Sequence, residues 1–415
     1  MPSRPDRRGH RSETVRRANL SAIVRDIHLG GHQSRSGLVA RTGLTRSTIR
    51  DLVGELGAAG LVREERGAPQ GTPGRPSPLV KPNPSRATVL ALEIAVDSLA
   101  VAVVGIGGEI LDEIRVDRPR GRLSVDETIA DLVELSRLPR SRPASRDSLI
   151  GVGVAVVGTV RREDGFVRMA PNLGWRDVPF AERLAAALRT RLPISVANEA
   201  DLGALAEQRR GAAVGFDDVL FISGEVGVGG GLIIDGRPLG GVAGYAGEVG
   251  HMPINPSGTV CRCGSVGCWE TEVGERALLL LAGHAPGGGR AEVDAVLREA
   301  AGGSPAVLSA LDNVGRWLGV GLATLVNVLN PQLIVLGGLT GRIHPYAWES
   351  LQAELDRLAL RASRDVVTVV PATLGVDAPL LGAAELAFEP LLEDPIGVIE
   401  TSAGSRKRLR GRALA

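Results

Sequence analysis

Cysteine is almost missing from this chain of 415 residues: Cys261, Cys263 and Cys268 are its three, all inside VCRCGSVGCWE (260–270). An odd number cannot pair off internally, and thiols this close are too cramped to staple a fold, so a disulfide framework is excluded. Thiolates gathered in one loop suit a metal ion instead. Long apolar runs are missing too, since stretches such as LIGVGVAVVGTV (149–160) have the length of a strand and fall short of a bilayer. The opening MPSRPDRRGHRSE is charged from the start and has no apolar segment of the kind a secretory signal needs. Together these absences predict a protein of a reducing cytoplasm without a membrane partner. The length predicts two or more domains.

Net charge is nearly absent as well, at +1, but it is unevenly spread. Residues 1–82 carry 15 Lys and Arg against 7 Asp and Glu, whereas the other 333 residues carry 33 against 40. A basic head on an acidic body predicts a head that meets an anionic polymer.

Within that head, residues 1–17 read as a basic flexible arm and 18–80 as a small domain. Leu20, Ile23, Val24 and Ile27 fall on one helical face that ends at Gly30-Gly31. Ser36 to Arg41 makes a second short helix, and Thr42-Gly43-Leu44 supplies a turn. Thr45 can cap a third helix whose inward face is Ile49, Leu52, Val53 and Leu56. Helix, turn and helix at this spacing is a DNA-reading motif, in which the start of the last helix enters the major groove. Arg46, Ser47 and Arg50 stand on its outward face and suit phosphate oxygens and guanine edges. LVREERG (61–67) and GTPGRPSPLV (71–80) read as the two strands of a wing, with Arg75 placed to reach a minor groove. A small helical domain that binds protein is the competing reading. Charge, turn and wing together favour DNA.

KPNPS (81–85) opens a Pro-rich linker taken to span 81–87. Strand-like runs then alternate with helices: TVLALEIAV, LAVAVVGIGGEIL, a helix over 125–138, LIGVGVAVVGTV, PISVANEA, DDVLFISGEVGVGGGLIIDG and QLIVLGG. Strand–turn–strand followed by helix, given twice, predicts a duplicated α/β lobe with a cleft between the copies. The last stretch, 396–415, ends in SRKRLRGRALA and reads as a basic flexible tail.

Six stretches carry a family resemblance: PNLGW (171–175), ANEADLGALAE (197–207), GEVGVGGGLIIDG (224–236), AGEVGHMPI (246–254), CRCGSVGCWE (261–270) and NPQLIVLGG (330–338). In this order they resemble the ROK family of repressors, open reading frames and sugar kinases, over about 88–395. The resemblance implies an actin–hexokinase-like two-lobed α/β body, preceded here by a winged helix-turn-helix domain as in the repressor branch. Members of that branch commonly answer to xylose, glucose or N-acetylglucosamine derivatives. It also implies that His251 joins Cys261, Cys263 and Cys268 in a closed, structural Zn2+ site within loop 251–268. By motif, Asn172, Asn198, Glu199, Glu248, His251 and Glu270 are the sugar-binding set, rich in the amides and carboxylates that vicinal hydroxyls need. Trp175 either walls that pocket or simply packs.

The resemblance also marks departures from the kinases. Where their first phosphate loop is glycine-rich, this chain has Glu93-Ile94-Ala95-Val96-Asp97-Ser98, so side chains and a carboxylate stand where backbone N–H groups would meet phosphate. Glu225 replaces a Thr in the second loop, and Glu199 replaces the Asp that takes the sugar proton. Displacing a catalytic group by ~1 Å can cost ~100-fold in rate. These readings predict a non-enzymatic, sugar-responsive transcriptional regulator that acts as a homodimer or higher homo-oligomer. It would most simply be a repressor released from operator DNA by a small-molecule sugar. An active ATP-dependent sugar kinase with a DNA-binding domain is the alternative, and an activator is a third reading.

Overall fold

The computed structural model describes residues 7–65, 78–121, 124–137 and 148–402. Helix α1 (Arg7–Gly30) reaches back through most of the expected arm. Residues 13–18 are exposed, so they leave no apolar period that would reveal the helix in the sequence. A two-residue strand, β1 (Gln33–Ser34), follows. Ser34 caps α2 (Arg35–Thr42) by accepting from the Gly37 N–H, and Gly43 ends that helix in the left-handed region at φ 69°. Thr45 caps α3 (Arg46–Ala58) by accepting from the Thr48 N–H at 3.2 Å. The inward face of α3 is the expected Ile49, Leu52, Val53 and Leu56, all buried. Strands β2 (Val62–Glu65) and β3 (Leu79–Pro82) pair antiparallel as the wing, with β1 on the other side of β3. The wing tip, including Arg75, lies outside the described residues.

The expected linker is not a free spacer. β3 runs into it as far as Pro82, Asn83 Nδ2 donates to the Gly60 carbonyl and Arg86 Nε donates to the Ala59 carbonyl, both at 2.8 Å.

The body's first lobe opens with an antiparallel meander, β4 (Thr88–Ile94), β5 (Ser98–Gly105) and β6 (Ile110–Asp117). Ser124 and Glu127 form a capping box on α4 (Val125–Leu135), which stops three residues before the expected Leu138. β7 (Leu149–Val156) returns parallel to β4. A small antiparallel sheet, β8 (Thr159–Arg161), β9 (Phe166–Ala170) and β10 (Trp175–Val178), precedes α5 (Phe180–Leu188). β11 (Ile194–Asn198) then pairs parallel with β7 and leads into α6 (Glu199–Arg210).

The second lobe repeats the plan with β12 (Val219–Gly224), β13 (Val228–Ile234) and β14 (Arg237–Pro238). The cysteine loop leads to α7 (Trp269–Val273), α8 (Glu275–Leu281), α9 (Gly289–Ala301) and α10 (Pro305–Leu329). β15 (Leu333–Gly337), α11 (Gly338–Leu358), α12 (Arg361–Arg364) and β16 (Thr368–Pro371) complete it, and α13 (Ala378–Glu393) crosses back to the first lobe. Both five-stranded sheets have their strands in the order third, second, first, fourth, fifth, which is the expected duplication. No helix among the described residues is long and apolar enough to cross a membrane.

One apolar core joins head and body. Ile23 and Ile27 of α1 and Leu56 of α3 belong to the same buried cluster as Val89, Phe388, Leu391 and Leu392. Residues 395–402 are helical, and Ile399 is 7% exposed within that cluster. The front of the expected tail is therefore core, and 403–415 lie outside the described residues.

Candidate functional site

Most of the sugar-set residues lie along a chain of short contacts in the cleft between the lobes. Asn198, at the end of β11, caps α6: its Oδ1 accepts from the Ala200 N–H at 2.7 Å, and its Nδ2 donates to the Gly158 carbonyl at 2.9 Å. Next along the chain, Thr159 Oγ1 donates to Glu248 Oε1 at 3.0 Å. Glu248 Oε2 is 3.9 Å from His251 Nε2, and His251 Nδ1 is 3.8 Å from Glu270 Oε1. Cys261 Sγ donates to that same Glu270 oxygen at 2.8 Å. Arg262, between two of the cysteines, closes the series by donating from Nη1 to Asn172 Oδ1 at 2.6 Å. Acceptors and donors thus alternate along the wall, which is what a ligand whose hydroxyls both donate and accept requires.

The surroundings of Asn198 and Trp175 narrow what each can do. Both oxygen-side and nitrogen-side groups of Asn198 are already committed to backbone, so this residue chiefly fixes α6 and Gly158 and keeps one N–H to offer. Trp175 is a core residue, 4% exposed and stacked on Phe180 with ring centroids 5.6 Å apart.

The cysteine loop brings its ligands together. One ligand atom each from His251, Cys261, Cys263 and Cys268 lie within 4.8 Å of one another. Cys263 Sγ and Cys268 Sγ are 3.5 Å apart, and Cys261 Sγ is 3.8 Å from His251 Nδ1. Metal–sulfur bonds of about 2.3 Å in a tetrahedron put sulfurs about 3.8 Å apart, so the four side chains are positioned to hold a metal ion. Burial pushes the Cys261 thiol up, while the N–H of Ser265 lowers Cys263 to about 7. Trp269 anchors the exit of the loop: it is fully buried, and its Nε1 donates to the Trp317 carbonyl at 2.9 Å. A side chain at Gly321 of α10 would overlap the Trp269 ring, so glycine is required for that close approach.

Glu199 belongs to a different part of the cleft. It lines a cavity of about 390 Å³ together with Glu93, Asp97, Glu225 and Glu275. Arg115 pairs with Glu93 at 3.0 Å, and Arg120 reaches Asp97 at 2.9 Å and Glu275 at 2.5 Å. No hydrogen-bond partner holds the Glu199 or Glu225 carboxyl among the described residues. Burial, then the neighbouring Glu225, Glu93 and Asp97, push Glu199 up to about 8. Burial likewise lifts Glu93 to about 7 against the pull of Arg115, and raises Glu225 against Arg290.

In the head, Arg46, Ser47 and Arg50 are all exposed on the first turns of α3. Arg50 touches the adjacent Asp51 at 3.0 Å, a pair 64% and 67% exposed that leaves the guanidinium available.

The sequence pattern of the ROK family matches residues 89–389, which include the cleft, the cysteine loop and both sheets. The chain belongs to the ROK family. The xylose repressor of Bacillus subtilis (strain 168) is 28% identical over 380 residues, covering 91% of this chain and 97% of the repressor. The glucokinase of Streptomyces coelicolor is 32% identical over 324 residues, covering 74% of this chain and 98% of the glucokinase. A solved ROK family transcriptional regulator, a homologue of the E. coli MLC protein, superposes with a TM-score of 0.75 at 25% identity, covering 94% of this chain and 99% of that one. The regulators match head and body together, whereas the glucokinase matches a length closer to the body alone.

Sequence reasoning missed four residues in this ROK site. Thr159 and Arg262 sit in a hairpin and between two cysteines, where nothing in their spacing signals the reach to Glu248 and Asn172. Arg162 pairs with the nearly buried Asp201 at 2.8 Å beside Glu248, and Asp201 itself stood unremarked inside a quoted motif. Burial, opposed by Arg162, raises that Asp to about 6.

Proposed function

We propose that this ROK protein is a sugar-responsive transcriptional repressor. The observation that carries the reading is the single match of 380 residues to a xylose repressor, spanning head and body at once. In this reading α3 lies in the major groove with Arg46, Ser47 and Arg50 toward the DNA, and Arg75 belongs to the wing. Two copies of the chain read half-sites about one helical turn apart, so a small rotation of the heads costs affinity at both. The effector is a neutral sugar held by Asn172, Glu248, His251 and Glu270, with one donor from Asn198. Zn2+ is the metal assigned to His251, Cys261, Cys263 and Cys268. Such a closed tetrahedral site performs no chemistry and holds the wall in shape. In this reading phosphoryl transfer is not part of the function, because the side chains of Ala95, Val96, Asp97 and Glu225 line the cavity where a polyphosphate would need open backbone N–H groups.

The test uses the full chain and a duplex that it selects from random DNA. Sugars from a panel containing D-xylose, D-glucose and N-acetylglucosamine are then screened for release of that duplex. Arg50→Ala is expected to weaken DNA binding and to lower the log–log salt slope by about 1 if it contacts phosphate. If it contacts a base edge, sequence preference relaxes by ~1–3 kcal/mol instead. The kinase reading draws on the 32% identity to a glucokinase, and coupled ATP consumption decides it: turnover on the order of 1–100 per second with any sugar of the panel replaces the repressor reading.

A further inference from the structure

α6 connects two places that no motif links. Its N-terminus is capped by Asn198 in the cleft, and its last turn carries Arg209 and Arg210 to the joint between head and body. Twelve residues of helix span about 18 Å. The helix is packed on the second lobe, where Gly203 admits the Phe221 ring, and it is in backbone contact with α13, where a side chain at Gly382 would overlap the Leu202 carbonyl. α13 in turn lies against the first lobe, with the Ala383 carbonyl filling the space a side chain at Gly153 would need. Helices and strands locked this closely shift as units and do not bend.

At the far end of α6 stands a buried ionic node. Arg210 Nε donates to Glu385 Oε1 at 2.6 Å and Arg210 Nη1 to the Gly107 carbonyl at 2.8 Å. Arg209 Nη1 reaches Glu385 Oε2 at 3.1 Å, and its other nitrogen pairs with Glu389. His28 of α1 is completely buried in the same node. The Gly107 N–H donates to His28 Nδ1 at 2.9 Å, and His28 Nε2 faces both Glu385 Oε2 at 3.1 Å and Arg210 Nη2 at 2.8 Å. Arg25 of α1 adds a bond to Glu389 at 2.9 Å. Burial would raise the Glu385 carboxyl, but His28, Arg210 and Arg209 together hold it well below the usual carboxylate range. A buried carboxylate with this many donors tolerates few geometries, because each broken bond strands a charge.

We propose that α6 is the route from the cleft to the DNA-binding head, with Arg209, Arg210, Glu385 and His28 as positioning residues that fix the angle of α1. The inference rests on the repressor reading. A ligand that draws the lobes together moves the Asn198 end of α6, and the rigid helix delivers that displacement to the arginine fork. The fork grips α13 and α1 at once, so the head tilts. Coupling of this kind requires an element whose arrangement both sites shift, and the proposal assigns that part to the Arg209–Arg210 fork.

The test measures linkage separately from binding. With the full chain, the affinity of a selected operator duplex is measured with and without saturating D-xylose, D-glucose or N-acetylglucosamine, and sugar affinity is measured by calorimetry. Arg210→Met is expected to bring the with-to-without ratio close to one while sugar affinity stays within about twofold of the parent. Arg25→Ala, on a half-exposed pair, is expected to cut the ratio at least threefold and decides the matter should Arg210→Met not fold. Arg210→Lys should restore part of the ratio. Folded Arg210→Met and Arg25→Ala proteins that keep the parental ratio overturn the route and leave the repressor reading standing. A parent chain whose operator affinity no bound sugar changes overturns both.

Discussion

On the His251 side of the cleft, the Glu248 carboxylate has a donor in the Thr159 hydroxyl. On the neighbouring side, Glu199 and Glu225 have no hydrogen-bond partner among the described residues, and burial raises both carboxyls. The two sides meet at Asn198 and Glu199, consecutive residues that face opposite kinds of chemistry. One side retains the balanced donors and acceptors that a polyol needs. The other is lined by the carboxyls of Glu93, Asp97, Glu199, Glu225 and Glu275. The two surfaces are built from different loops, so in the repressor reading one can hold a ligand without the other supporting a reaction.

The largest effect expected from breaking this contrast is on the metal side. Chelation, or Cys261→Ser, should remove one zinc per chain by elemental analysis and reduce sugar affinity by at least ~100-fold, since the loop carrying His251 and Glu270 loses its anchor. Metal-free protein with parental sugar affinity would contradict this. Glu248→Gln comes next. It leaves shape unchanged but removes a charge that Thr159 aims, and a loss of about 10- to 100-fold in sugar affinity is expected from a charged hydrogen bond of ~1.5–3 kcal/mol, with operator affinity unchanged.

The third test falls on the other side. Glu199 has its carboxyl raised from 4.5 to about 8. The folded chain therefore holds a proton that the unfolded chain releases, and stability must fall as pH rises from about 4.5 to 8. Glu199→Gln should remove this slope and stabilise the protein by a few kcal/mol at pH 8 while changing little at pH 5, as read by denaturant melts at the two pH values. Equal effects at both would show that Glu199 is ionised in the fold. The smallest effect is the most diagnostic. Glu199→Asp should produce no ATP turnover, because Val96, Asp97 and Glu225 still line the cavity.

Much of this was legible from local pattern. The Thr45 cap, the buried face of α3 and the hairpins of both lobes follow from short-range rules of capping and periodicity, which tertiary packing here reinforces. The three cysteines were legible because their ligand chemistry is so restricted, and the family resemblance supplied His251. What escaped depends on partners distant in sequence. Residues 13–18 of α1 are exposed and have no period to detect. The cap that the Asn198 amide makes on α6 was not foreseen from its motif. His28 and Glu385 lie 357 positions apart, and no pattern in either segment announces the other.

The shared core has a consequence for how such proteins can be assembled from parts. Excising residues 1–86 would not yield a freestanding sugar-binding module, because Phe388, Leu391, Leu392 and Ile399 would lose the cover of Ile23, Ile27 and Leu56. Apolar surface laid open costs about 25 cal/mol per Å² and invites aggregation. Nor would this head, transplanted onto a body without such residues, find a seat. Head and body are halves of one piece, and genetic exchange between regulators of this kind must carry the last helices of the chain along with the first.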